Sequence, residues 1–161
     1  WNKAKGGGSI YALACYNIHH ARWTFGADPV EVFATQRPGQ EVDDGANIHL
    51  VFPDGGIAQI TVGFDTYSHQ DFDIHGTTGS LRTDAAWNNE NRPTWLEHVS
   101  HRLRQRHEFA PIHQFTLQLE NMCDVVEGKA EHRIPPENSI GQMRTIDAIY
   151  ESFESRKAVA M

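Results

Sequence analysis

The sequence predicts an α+β fold, a largely antiparallel or mixed open β-sheet with helices on one face. Three observations carry that expectation. Between residues 30 and 83 apolar and polar residues alternate in several short runs, the period of strands with one covered face. Pro53-Asp54-Gly55-Gly56 separates two of these runs as a turn. Near both ends of the chain, apolar residues recur instead at helical spacing. Helices in one layer over a sheet bury both sets of apolar residues.

The first helix is expected to start after Gly6-Gly7-Gly8, with Ser9 as its N-cap, and to stop at Gly26. Ile10, Leu13, Ala14, Ile18, Ala21 and Phe25 form its core stripe, leaving Ala12, Tyr16, His19, His20 and Trp23 on the opposite face. A solvent face normally carries Lys and Glu; an aromatic, imidazole-rich one is expected to meet something. Strands follow around Val30–Ala34, Ile48–Phe52, Ala58–Phe64 and Phe72–Ile74, and Gly76-Thr77-Thr78-Gly79 turns into Ser80-Leu81-Arg82-Thr83. Asn47, His49, Gln59 and Thr61 are polar but weakly charged, and a broad sheet face of that kind suits self-association. Residues 85–111 show weak periodicity and read as an irregular excursion with a short helix near Trp95–Leu103. Ile112, Phe115, Leu119, Met122 and Val126 make a helical stripe stopped by Gly128. Ser139-x-x-Gln142 reads as a capping box before a last helix striped by Ile140, Met143, Ile146, Ile149, Tyr150 and Phe153.

At 161 residues and 39% hydrophobic, the chain suits one soluble globular domain. It has no apolar run of the roughly 20 residues a membrane span needs, and no signal-peptide pattern follows Trp1-Asn2-Lys3-Ala4-Lys5. It opens mid-pattern without an initiator Met, so a cut within a longer protein is expected. A net charge of −7 argues against a nucleic-acid binder. Cys15 and Cys123 have no metal-ligand spacing and are expected to be reduced and mostly buried, in a cytoplasmic protein. His98-x-x-His101 has helical spacing but no carboxylate or thiol to complete a metal set, so no metal is expected. The basic group Arg102, Arg104, Arg106 and His107 reads as a solvated face before it reads as an anion site.

Five segments in order carry a resemblance. Gly6-Gly7-Gly8-Ser9-Ile10-Tyr11-Ala12-Leu13-Ala14-Cys15-Tyr16-Asn17-Ile18-His19, with Arg22-Trp23-x-Phe25-Gly26, is the first. Val42-Asp43-Asp44, Phe52-Pro53-Asp54-Gly55-Gly56-Ile57-Ala58 and Ile74-His75-Gly76-Thr77-Thr78-Gly79-Ser80-Leu81 follow. Glu137-Asn138-Ser139 through Met143-Arg144 and Ile146–Ser152 is the last. Together they resemble the C-terminal domain of the Gfo/Idh/MocA oxidoreductases, over nearly all of the chain except residues 85–111.

The resemblance implies a substrate-binding and oligomerisation domain, residues 1–161, of an NAD(P)-dependent dehydrogenase acting on a sugar, cyclitol or related polyol. The NAD or NADP is then held mainly by an N-terminal Rossmann domain that this chain lacks: there is no strand followed by GxGxxG, and no Glu-Lys-Pro lysine. The isolated chain is expected to be inactive and not to bind NAD(P), while its sheet face makes a homo-oligomer. Tyr16 occupies the family position that takes the hydroxyl proton, with Tyr11, His19 and His20 as substrate contacts. A phenol ionises near pH 10, so the role needs a neighbouring cation. The family's Asp four residues before that tyrosine is Ala12 here, which leaves open a non-catalytic oligomerisation or ligand-binding module of the same fold.

Overall fold

Alternation places Val32 and Ala34 on the buried side of β1 (Glu31–Pro38), and Ile48 and Leu50 on that of β2 (Asp43–Val51). The Pro53–Gly56 turn closes as Phe52 N donates to Gly56 O and Gly55 N donates to Phe52 O, and it leads into β3 (Ile57–Gly63). With β8 (Val159–Ala160) these strands form an antiparallel sheet in the order β3-β2-β1-β8. The computed structural model describes residues 2–89 and 91–161. It divides into two compact units, Trp1–Thr66 with Ile134–Met161 and Tyr67–Arg133.

In the first unit the leading helix has two parts. Ile10–Ala14 is a π-turn, in which the Cys15 amide donates to Ile10 O five residues back. α1 (Cys15–Phe25) then continues and stops at Gly26, which takes φ 64° as a left-handed cap. The expected core stripe is buried at Ile10, Ala14, Ile18 and Ala21, and Phe25 stacks on Phe52 at 4.2 Å. Ser9 is not an N-cap: it is itself helical and buried, and its hydroxyl turns to Asp43.

α3 labels the terminal helix (Pro136–Ser155), which lies against β1 and buries Ile146, Ile149 and Phe153. It begins three residues before the expected capping box, with a proline in its first turn, so Ser139 is interior and Gln142 is free to bond elsewhere. β8 pairs only with Glu31 and Val32, which would leave the next inward amide of β1 bare. Ser152 fills the gap: its Oγ accepts from Ala34 N at 2.9 Å and donates to Lys157 O at 2.7 Å.

The second unit is an antiparallel meander, β4 (Phe72–His75), β5 (Gly79–Thr83), β6 (Thr94–Ser100) and β7 (Arg104–Phe109), in that spatial order. The expected irregular excursion and short helix are therefore replaced by a β-hairpin. Asp73, Arg82, Glu97 and Arg106 lie directly opposite one another across the four strands, a row of alternating charge. Beside it, the Trp95 ring has the guanidinium carbons of Arg106 at 4.3 Å and Arg82 at 5.7 Å from its centroid. The hairpin also removes the helical spacing between His98, in β6, and His101, in the turn after it. α2 (Gln114–Val126) forms as expected, but Phe115, Leu119, Met122 and Val126 are all exposed.

Candidate functional site

Two polar networks, each centred on a buried charged residue, fix the helix that carries the candidate residues. The first centres on Asp43 at the head of β2, only 4% exposed. Its Oδ2 accepts from Ser9 Oγ at 2.6 Å and Ile10 N at 2.9 Å, while Oδ1 accepts from Tyr150 Oη at 3.0 Å. The carboxylate thus satisfies an amide at the start of the π-turn, where the helix dipole favours negative charge. Gly8, at φ 130°, lets the backbone pass beside it; a Cβ there would collide with Asp43 Oδ1.

The second network centres on Arg22, near the end of α1 and also buried. Its Nε donates to Asp28 Oδ1 at 2.7 Å, and a terminal nitrogen donates to Asn138 Oδ1 and Gln142 Oε1. Gln142 in turn donates to Cys15 O at 2.8 Å. α1 is therefore held at its start by β2 and α3, and at its end by α3 again.

Held so, the helix turns one face outward. Tyr16 is 58% exposed and Trp23 72%, with His19 and His20 half-buried between them. In a regular α-helix residues five apart differ by about 140° around the axis. The π-turn closes five residues back, so Tyr11 swings toward the side of Tyr16. Tyr11 is 38% exposed, and one side of its ring stacks on Tyr150 at 5.7 Å. The His20 ring lies 6.3 Å from Trp23 in a near-parallel stack. Burial, and secondarily the charge of His19, holds the His20 imidazole below its ordinary pKa, which favours the neutral ring. Ala12 is exposed on this helix and brings no carboxylate to it.

All four residues singled out in the sequence, Tyr11, Tyr16, His19 and His20, are thus on one continuous helical segment. Asp43, Arg22 and Tyr150 did not stand out as functional in the sequence. An acidic residue opening an apolar strand was the available signal for Asp43, as was an arginine within a core stripe for Arg22. Neither of two clefts, about 380 Å³ beside Leu81, His98 and His107 and about 330 Å³ beside Phe33, Phe153 and Arg156, is lined by residues of this helix.

The glycine triplet is not a phosphate cradle. Gly8 is closed against Asp43, and the Ile10 amide already holds that carboxylate, so a second anion would meet like charge. Among the described residues no group of three His, Cys, Asp or Glu side chains comes together as a metal site. No described helix is long and apolar enough to cross a membrane. Both cysteines are free thiols; Cys15 is half-buried, but Cys123 is exposed rather than buried as expected.

Residues 1–82 match the family described as the GFO/IDH/MocA C-terminal domain. The chain is 31% identical over 160 residues to D-xylose 1-dehydrogenase (NADP(+)) 2 of Haloferax volcanii, an alignment covering 96% of this chain and 48% of that protein. Its fold matches the aldose-aldose oxidoreductase of Caulobacter crescentus, crystallised with glycerol, at a TM-score of 0.85 and 23% identity, over 97% of this chain and 48% of that one. A 3-ketoreductase from Actinomadura kijaniata, crystallised with NADP and TDP-benzene, matches at a TM-score of 0.79 and 24% identity, over 92% and 46%. The chain spans about half the length of the curated relatives it matches.

Proposed function

The chain belongs to the GFO/IDH/MocA family as its C-terminal domain, and on that premise we propose that it is the substrate-binding and oligomerisation half of an NAD(P)-dependent oxidoreductase acting on a sugar, cyclitol or related polyol. The observation that carries this reading is the outward face of the first helix: Tyr16 projects from a segment pinned by Asp43 and Arg22, with Tyr11, His19 and His20 around it. A relative named for D-xylose and NADP(+) supports the substrate class and the nicotinamide cofactor. We place the dinucleotide outside this chain, a reading supported by the poor fit of its glycine triplet to a phosphate.

Oxidising a carbinol removes a hydride from carbon and a proton from oxygen. This chain's part is the proton. In oxidation the Tyr16 phenolate, stabilised by a cation from the dinucleotide-binding half, takes the proton and becomes the phenol; in reduction the phenol returns it. His19 and His20 hold neighbouring hydroxyl groups, and a neutral His20 can both donate and accept there. The outer sheet face, with the rows Phe33–His49–Gln59 and Thr35–Asn47–Thr61, is the oligomer surface.

Ala12 favours a second reading, in which the fold is kept as a ligand-binding or oligomerisation module without turnover. Turnover by the full-length protein decides between them, and Tyr16→Phe locates the relay. A proton relay loses turnover by about 10²-fold or more, with folding and dinucleotide affinity intact. Turnover unchanged in Tyr16→Phe but abolished in His20→Ala assigns the relay to the imidazole instead. A full-length protein that oxidises no member of a sugar and cyclitol panel with either nicotinamide supports the module.

A further inference from the structure

Resting on that reading, we propose that Tyr150 is a positioning residue: anchored by Asp43, it holds Tyr11 as a fixed aromatic wall against which the carbon–hydrogen face of the sugar or polyol packs beside Tyr16. Tyr150 is fixed at both ends of its side chain. Its hydroxyl donates to Asp43 Oδ1 at 3.0 Å, and the carboxylate is itself held by Ser9 Oγ and Ile10 N. Its ring meets Phe153 edge-on at 5.7 Å and 88°. Burial, then the Asp43 charge, raises the Tyr150 pKa well above that of an ordinary phenol, so the hydroxyl keeps its proton and stays a donor.

Tyr11 stacks on this fixed ring at 5.7 Å and 30°. One side of Tyr11 is thereby occupied, and at 38% exposure the rest faces out. The π-turn rotates the Tyr11 position toward that of Tyr16 around the helix axis. A sugar presents hydroxyls at its rim and C–H bonds on its faces, which suits a tyrosine with an apolar body and a polar tip. No charged carboxylate or ammonium from this helical segment competes, since residues 10–20 carry neither. A wall already oriented before the ligand arrives saves the cost of ordering it on binding. The pair therefore acts on binding, whereas Tyr16 acts on the proton.

A double-mutant cycle in the full-length protein tests this, read as KM and kcat for the aldose or cyclitol it turns over best and as calorimetric binding of the same sugar. Tyr11→Leu and Tyr150→Leu should each raise KM and the sugar Kd about 3- to 10-fold, with kcat within about 2-fold. The double variant should be no worse than either single change, because Tyr150 acts through Tyr11. Tyr150→Phe, which keeps the stack, should recover most of the affinity. If Tyr150→Leu does not fold, Tyr150→Met, a longer apolar side chain without a ring, runs the same cycle. Additive losses, or a fall in kcat at unchanged KM, overturn the proposal. Sugar binding absent from the unaltered protein overturns it together with the reading beneath it. A non-additive cycle with Tyr16→Phe fully active keeps the wall and removes only the proton relay.

Discussion

The two units are both antiparallel sheets with helices, yet they are held together by different physics. Every buried apolar side chain among the described residues lies in the unit of residues 1–66 and 134–161, from Ile10 to Phe153. Among its described residues the unit of residues 67–133 buries one, Thr83, and it leaves all of β7 and the α2 stripe exposed. In place of a core it has a cross-strand row of alternating charge and the Trp95 ring in contact with two arginines. Apolar burial contributes about 25 cal/mol per Å², whereas exposed ion pairs contribute about 0–1 kcal/mol each. The difference teaches where precision resides: the helix bearing Tyr16 is built on the unit with a core, and its polar anchors are buried inside it.

The most forceful way to break that comparison is Asp43→Ala. It leaves the donors of Ser9, Ile10 and Tyr150 without their acceptor in a buried site and opens a cavity beside Gly8. A destabilisation of about 3–5 kcal/mol is expected, on the scale of breaking a buried charged network. Hydrogen exchange should show it as faster exchange in β1, β2 and α3, with amides of β5 and β6 unchanged. Uniform acceleration across both units would show that they unfold as one.

The same contrast explains what was legible in the sequence. Where a core imposes period, the reading held: Ile10, Ala14, Ile18 and Ala21 are the buried helix face, and Val32, Ala34, Ile48 and Leu50 the buried strand face. β6 and β7 were missed because their neighbours across the sheet, not a core, select their residues. Glu97 opposite Arg82 and Arg106 reads as disorder in a one-dimensional pattern and as pairing only in register. The two N-terminal capping expectations failed for a related reason, while the Gly26 cap held: Ser9 and Gln142 are engaged by partners 34 and 127 residues away, Asp43 and Cys15. The π-turn also has no period signature, since one five-residue turn leaves the following α pattern intact.

A smaller effect sharpens the comparison from the other side. Trp95→Ala removes the ring that Arg82 and Arg106 share. A cost of about 1 kcal/mol is expected, the scale of partly exposed cation–π contacts. It should appear as faster exchange in β5, β6 and β7 and leave β1 and β2 untouched. A loss equal to that of Asp43→Ala would mean that Trp95 anchors a core the second unit does not show.

The smallest expected effect is a pH dependence, and it belongs to the helix face rather than to either sheet. His20 is half-buried, and desolvation, then His19, lowers its pKa below the ordinary imidazole value of about 6.5. The unfolded chain therefore binds a proton at His20 more readily than the folded one. The sign follows: stability from the neutral ring is fully present above about pH 6.5 and declines as pH falls through the depressed folded value. The ring is partly solvated, so the change is small. Thermal unfolding from pH 7.5 to 5 should show a modest fall that His20→Gln reduces, because glutamine keeps a polar side chain but does not titrate. Stacking on Trp23 supplies a second readout, since protonation of His20 changes the surroundings of that indole. Trp23 emission should shift over the same pH range in a variant with the other tryptophans replaced by phenylalanine, and the shift should vanish with His20→Gln. A wild-type transition that persists unchanged in His20→Gln would place the titrating group elsewhere and remove His20 from the pH response.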